Sequence, residues 1–399
     1  MSQRAHVLAV ATQRASLMIE TIRNSLTTML KSRKVFIYLL LCMMITTGTA
    51  HGQLFKRLTA GSSASSQRTS TATGYVFDPN WPLKPVKPSA SDHSWGEMSG
   101  LCLDHGGKIW AFHRGKMPVE TYDTKGNRLK AWGEGQFGRP HQIRVDHKGH
   151  IWMADAGLHV VREFSSEGNL IRTFGTPGQS GQDSAHFKEP TDMAISPRGD
   201  LYIADGYGNN RIVQFDAEGR YIRAWGQLGS RPGEFNLPHS IAMDSTGKLY
   251  VADRSNARVQ VFDRNGVFLS EWTGLMVPWH IVVTERDEVY VCGSTPMRWP
   301  KIAIPGIPLG IPPKDQVVGI FDTSGRMKRL WSFPLGQKPG EVDWLHAMAV
   351  DGRGNLYLGD IKGHRAQRFL IQDSETSGIL AKQPTVDPNL KQVGAEQKP

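Results

Sequence analysis

Cysteine is scarce in this chain of 399 residues, which holds only three. That is too few for a disulfide-built scaffold. Long apolar runs are also missing. The clearest, VFIYLLLCMMI at 35–45, falls short of the roughly 20 residues that a bilayer-spanning helix needs. Concentrated charge is absent too. The net charge is +10, but the first 50 residues carry six Lys/Arg against one Glu and so supply half of the excess. The remaining charges are scattered as on a solvated surface, with no basic stripe, which excludes nucleic acid as an expected partner.

The apolar run at 35–45 follows Lys31, Arg33 and Lys34 and precedes Gly48-Thr49-Ala50. Basic, apolar, then small residues is the layout of a secretory signal peptide. Residues 1–52 are therefore read as a basic segment plus signal peptide, and the protein as exported, periplasmic or secreted. The charged region before the run is long, and Met29 is the expected start. The alternative is an uncleaved N-terminal anchor, the one membrane attachment expected; Cys42 lacks the preceding small residues of a lipid-attachment signal. Residues 53–73, rich in Ser, Thr, Ala and Gly, read as a flexible linker, and the polar residues 373–399 as a disordered tail. Cys102 and Cys292 lie in strand-like runs of different repeats and are expected as buried free thiols.

What the chain does have is repetition. From Pro190 to Asp263 one unit occurs twice, first as PTDMAISPRGDLYIADGYGNNRIVQFDAEGRYIRAWG and then as PHSIAMDSTGKLYVADRSNARVQVFDRNGVFLSEW. Each copy holds four short runs of Val, Ile, Tyr and Phe separated by Gly, Asp and Asn turns, the pattern of antiparallel strands. Four strands at a period of roughly 40–50 residues define a β-propeller blade. Units aligned on the turn after the first strand (Asp104, Asp146, Ser196, Asp244, Thr284, Asp351) number six. The expectation is an all-β, six-bladed propeller over 74–372, a monomer, with 74–96 supplying an outer strand that closes the ring. The fifth unit is lengthened by GSTPMRWPKIAIPGIPLGIPPK, residues 293–314, too proline-rich for a sheet and read as a lid or binding loop.

Five residues before each alignment position the sequence reads Ser99, His141, Thr191, His239, Trp279, His346. Histidine occupies alternate blades, which ring symmetry separates by about 120°. Three imidazoles placed just before the innermost strands converge at the mouth of the channel, and three histidines with one open position suit a catalytic zinc site. Each histidine alone is also explained as a polar turn residue after proline. His280 is one residue out of register and is expected to point elsewhere. The loops between second and third strands return to the same face and carry Arg114, Tyr207, Arg254 and Lys362. A tyrosine beside cations can serve as a general base, and an arginine can hold a carboxylate; ordinary surface pairing is the alternative. The recurrent Asp155, Asp205, Asp253 and Asp360 are expected to cap loop amides, and Arg211, Arg258 and Arg365 to belong to the scaffold.

These residues resemble NHL-repeat propellers and, more narrowly, peptidyl-α-hydroxyglycine α-amidating lyase (peptidylamidoglycolate lyase). The likeness is carried by Phe112-His113-Arg114-Gly115, Pro140-His141, Pro190-Thr191-Asp192, Asp205-Gly206-Tyr207 with Arg211-Ile212-Val213-Gln214-Phe215, Pro238-His239-Ser240 and Ala252-Asp253-Arg254. The resemblance implies zinc held by His141, His239 and His346, with Tyr207 as base. Arg114 and Arg254 would bind the substrate carboxylate and help ionise the phenol. The reaction implied is cleavage of the N–C bond of a carbinolamide on a small-molecule or peptide substrate, giving glyoxylate and a primary amide. Two positions depart from the family. Trp344-Leu345-His346-Ala347 stands where the family has Met-Pro-His-Asp, so an aspartate ligand is missing and a structural calcium is left open. Gly208 stands where a paired cysteine would be. Nothing resembles the copper monooxygenase that makes the hydroxyglycine. The rival readings are a non-catalytic propeller binding peptide or protein on its top face, and a propeller lactonase, whose acidic calcium ligands this column lacks.

Overall fold

In the repeats the second strands are mainly apolar and the third interleave apolar residues with Arg and Gln, and both are covered on their two faces because every blade is sandwiched between two others. In a computed structural model, which describes residues 74–82, 95–274, 276–295 and 315–372, Leu249–Asp253 and Arg258–Phe262 are buried end to end, whereas the outermost strand of the same blade, Phe268–Thr273, is largely open to solvent. Six four-stranded antiparallel sheets form in this way. Five run in chain order: blade one Met98–Trp132, two Pro140–Phe174, three Asp192–Trp225, four Pro238–Thr273 and five Val277–Phe333. Blade six is built from both ends of the described chain. Tyr75–Asp78 pairs antiparallel with Arg365–Ile371, outside Leu356–Asp360 and Leu345–Val350. The six-bladed all-β ring and its closing outer strand are as expected.

The apolar core lies in the seams. Trp152, Ala154 and Val161 of blade two pack against Met193, Ile203 and Val213 of blade three, and the other seams repeat the scheme. Cys102 and Cys292 are buried and free; burial pushes the Cys292 thiol up to about 12.

Buried carboxylates hold the loops as the repeat suggests. Asp155 accepts the amides of Gly138, Arg139, Gly157 and Leu158. Asp253 takes Asn236 N and the Arg258 guanidinium, whose other nitrogens reach the carbonyls of Ser230, Arg231 and Glu234. Asp205–Arg211 and Asp360–Arg365 repeat the device.

One boundary differs from the sequence reading. Gly293 and Ser294 are not part of the blade-five insertion; they end the strand Val289–Ser294, paired with Pro278 and Val277 on one side and Val317 and Gln316 on the other. Both keep a backbone N–H for the ladder, as proline does not. Thr295 follows, its N–H on Asp315 O at 3.1 Å; residues 296–314 of that insertion and the segments read as leader, linker and tail lie outside the described residues.

His113, in blade one, is buried. Its Nδ1 accepts from Gly96 N and Gly115 N, so Nε2 carries the proton. Glu120 Oε1 is 4.0 Å from Nε2, beyond hydrogen-bond reach, and Glu120 is already engaged by Trp95 and Tyr122. Burial therefore prevails and lowers the His113 pKa to about 4, against about 6.5 unfolded. Below that value the unfolded chain takes up a proton that the folded chain refuses. Stability contributed by neutral His113 is thus present above pH 6.5 and lost as pH falls toward 4, on the order of 3 kcal/mol at the limit. Denaturant titrations across this window should show a shallower pH slope for His113→Gln than for the parent.

Candidate metal centre

The three histidines of the repeat column are each the second residue of an innermost strand, in Pro140–Val145, Pro238–Met243 and Leu345–Val350. At each one the pairing register slips, between Pro140 and Gln142, Pro238 and Ser240, and Leu345 and Ala347. Such a bulge leaves one residue unpaired and re-aims its side chain. The column thus lies on the strand rather than just before it. The bulge, not the loop, turns the imidazole toward the axis.

The outcome is a near-equilateral triangle. Ring centroids of His141 and His239 are 4.8 Å apart, of His141 and His346 5.0 Å, and of His239 and His346 4.9 Å. One ligand nitrogen from each lies within 4.8 Å of the other two. All three side chains are almost wholly buried. Each Nδ1 faces a backbone carbonyl of the next blade: His141 to Thr191 O at 2.5 Å, His239 to Trp279 O at 2.6 Å, and His346 to Ser99 O at 2.8 Å. A carbonyl only accepts, so Nδ1 carries the proton and Nε2 keeps its lone pair. Burial, then the neighbouring His346 and Arg114, holds His141 well below the usual imidazole range. Burial, then His141 and His346, does the same to His239. His346 is lowered to about 3 by burial and Arg114. Three neutral imidazoles with their lone pairs inward, each second nitrogen fixed by a carbonyl, are a donor set that could hold a divalent ion with a position left open. Ala347, beside His346, offers no side-chain oxygen to a second ion.

Tyr207 enters this triangle. Its hydroxyl is 3.2 Å from His141 Nε2 and 3.3 Å from His239 Nε2. The loop that carries it rests on the strand of His239, where a Cβ at Gly206 would meet Pro238 O at 2.0 Å; only glycine permits that approach. Arg254 is buried on the short 3-10 turn Arg254–Asn256, its guanidinium 3.7 Å above the Trp279 ring. Burial lowers its pKa to about 10, and its bond to Tyr207 pulls the other way. Arg114 lies at the edge of the centre. Its Nε donates to Pro140 O at 3.2 Å and Nη1 pairs with Glu97, so part of its charge is already engaged. Lys362 is on the exposed rim, 4.4 Å over the Trp344 ring. His280 points away, as expected, accepting Met348 N at Nδ1.

The structure adds residues that the repeat pattern did not single out. Arg139 lies over the Tyr207 ring at 5.3 Å and pairs with Glu189 at 2.6 Å; it stands outside the repeat columns, so no periodicity marks it. Ser99, Thr191 and Trp279, the column members that are not histidine, supply the three orienting carbonyls. A second group, Asp146, His150 and Glu163, is satisfied internally by Trp152 and Arg172.

The described residues thus form a six-bladed ring with three imidazoles brought together from alternate blades. The NHL repeat profile matches residues 187–215 and 235–262. The chain is 29% identical over 345 residues to "Peptidyl-glycine alpha-amidating monooxygenase B" of Xenopus laevis, covering 76% of this chain and 36% of that protein. It is 27% identical over 370 residues to "Peptidyl-alpha-hydroxyglycine alpha-amidating lyase 1" of Drosophila melanogaster, covering 82% of this chain and 65% of that one. The chain thus spans less than two thirds of either relative. Among solved structures a streptogramin B lyase superposes with a TM-score of 0.51 at 13% identity, over 75% of this chain and 99% of the other, a likeness of fold. The chain is an NHL-repeat propeller that resembles the amidating lyases in sequence.

Metal analysis of protein dialysed against a dilute divalent salt should find about one ion per chain. His239→Ala should lose it while keeping the far-ultraviolet circular dichroism of the parent; metal retained at parental content in that variant counts against the site.

Proposed function

We propose that this protein is an exported, zinc-dependent carbon–nitrogen lyase that cleaves a peptidyl-α-hydroxyglycine-type carbinolamide to a primary amide and glyoxylate. The observation that carries the reading is the Tyr207 hydroxyl, set between the Nε2 atoms of two buried imidazoles at 3.2 and 3.3 Å. A scaffold needs no phenol there, and a general base does. The similarity to named amidating lyases supports the same reading.

His141, His239 and His346 would hold the zinc. When bound, the ion supplies Lewis acidity to the substrate hydroxyl oxygen. Tyr207 takes the proton of that hydroxyl. As the carbon–oxygen double bond forms, the C–N bond breaks and its electron pair goes to the amide nitrogen, which receives a proton in turn. Nothing is oxidised or reduced, and no co-reactant is consumed. Arg254 reaches both Tyr207 and the face of Trp279, where its cation offsets negative charge on the phenol oxygen and on the substrate carboxylate. Arg114 would serve the same carboxylate by exchanging its contact with Glu97 for the substrate. Burial keeps water from the centre, which strengthens each of these charge contacts.

Incubation with an α-hydroxyglycine peptide should release glyoxylate, and Tyr207→Phe should lower kcat by about 10²–10⁴-fold with the metal content unchanged. Turnover equal to the parent's would remove Tyr207 from the role of base.

A further inference from the structure

Beneath the three imidazoles a single side chain crosses the channel. Arg144 leaves the innermost strand of blade two, Pro140–Val145. Its Nε and Nη2 pair with both oxygens of Asp192 in blade three. Nη2 continues to Ser240 Oγ at 3.3 Å and Ile241 O at 3.3 Å in blade four, and to Ile281 O at 3.1 Å in blade five. One guanidinium therefore ties together four innermost strands.

The atoms it ties adjoin the metal centre. Asp192 follows Thr191, whose carbonyl takes His141 Nδ1. Ser240 follows His239. Ile281 stands two residues after Trp279, whose carbonyl takes His239 Nδ1. The links between these atoms are short. Ser240 Oγ donates to Asp192 Oδ2 at 2.6 Å and accepts from Ile281 N at 3.0 Å. Asp192 also accepts the amides of Met193 at 2.8 Å and Ile241 at 3.1 Å. Asp192 and Ser240 are completely buried, and the Arg144 side chain is 15% exposed.

Two physical points make this arrangement more than a brace. The histidines sit on bulges, where the strand ladder does not fix the residue, so their aim needs another constraint. A buried ion pair gives little net stability over an apolar filling of the same space, so geometry is what it contributes. We propose that Arg144 is a positioning residue for the three-imidazole centre. Through Asp192 and Ser240 it fixes the bulge of His239 and the carbonyls that orient His141 and His239, without touching ion or substrate. The proposal rests on the metal reading above.

The test uses cobalt(II) as a visible probe in the full chain. Arg144→Met, Arg144→Lys and Ser240→Ala are compared with the parent by thermal melting, by cobalt affinity against a chromophoric chelator, and by the cobalt absorption band. Arg144→Met should melt cooperatively yet bind cobalt 10–100-fold more weakly, the range for lost outer-shell support, with a shifted band, and Arg144→Lys should recover part of both. Should Arg144→Met not fold, Ser240→Ala carries the test, with a smaller loss and a shifted band. A lower melting temperature with parental cobalt affinity and spectrum would overturn the proposal, leaving Arg144 a brace only. A parent that takes up no cobalt overturns the metal reading together with it, an outcome distinct from loss confined to the variants.

Discussion

The arrangement depends on one contact made three times, an imidazole Nδ1–H against a backbone carbonyl of the next blade. Each bond spans a seam, so a histidine that the bulge in its own sheet turns inward is held in that aim by its neighbour. The donors come from blades two, four and six and the acceptors from blades three, five and one. The column therefore splits into two interleaved sets, one presenting side chains and one presenting main chain. This fixes the tautomer of every ring. It also makes the centre a property of the closed ring, since no single blade contains both halves of any pair.

Electrostatics around the centre follow from how the charges are allotted. The carboxylates nearest the loops, Asp155, Asp205, Asp253 and Asp360, are consumed as caps and arginine partners. The cations Arg114, Arg139, Arg254 and Lys362 surround three uncharged imidazoles. Glu97 and Glu189 offset two of them at the edge. Cations so placed favour an approaching anion, and the Arg144–Asp192 pair lies among the innermost strands.

Much of this was legible in the repeat. Strand identity came from alternating Val, Ile and Tyr between glycine turns, and copying the unit along the chain fixed six blades. Because blades repeat, one column of residues maps onto one height in the ring; His141, His239 and His346 could be brought together without coordinates for that reason. Tyr207 and Arg254 came with them, as both follow an Ala-Asp or Asp-Gly step at the same loop. What could not be read were features set by neighbouring blades. The bulge that moves each histidine onto its strand is a matter of pairing register. The partner of Arg114 is Glu97 from an earlier loop. Arg139 and Arg144 act across seams, and nothing in their own repeat distinguishes them. The end of the blade-five strand was misplaced because proline marks where pairing fails, and glycine and serine before it pair normally.

The outermost strand of the last sheet is contributed by Tyr75–Asp78, hydrogen-bonded to Arg365–Ile371. A chain emerging in order makes the first of these segments long before the second, so the ring cannot shut until blade six has been made. The seam that joins His346 to Ser99 is sealed in the same event. The centre is consequently assembled late by construction: the imidazoles of blades two and four wait for His346 before all three can face one another.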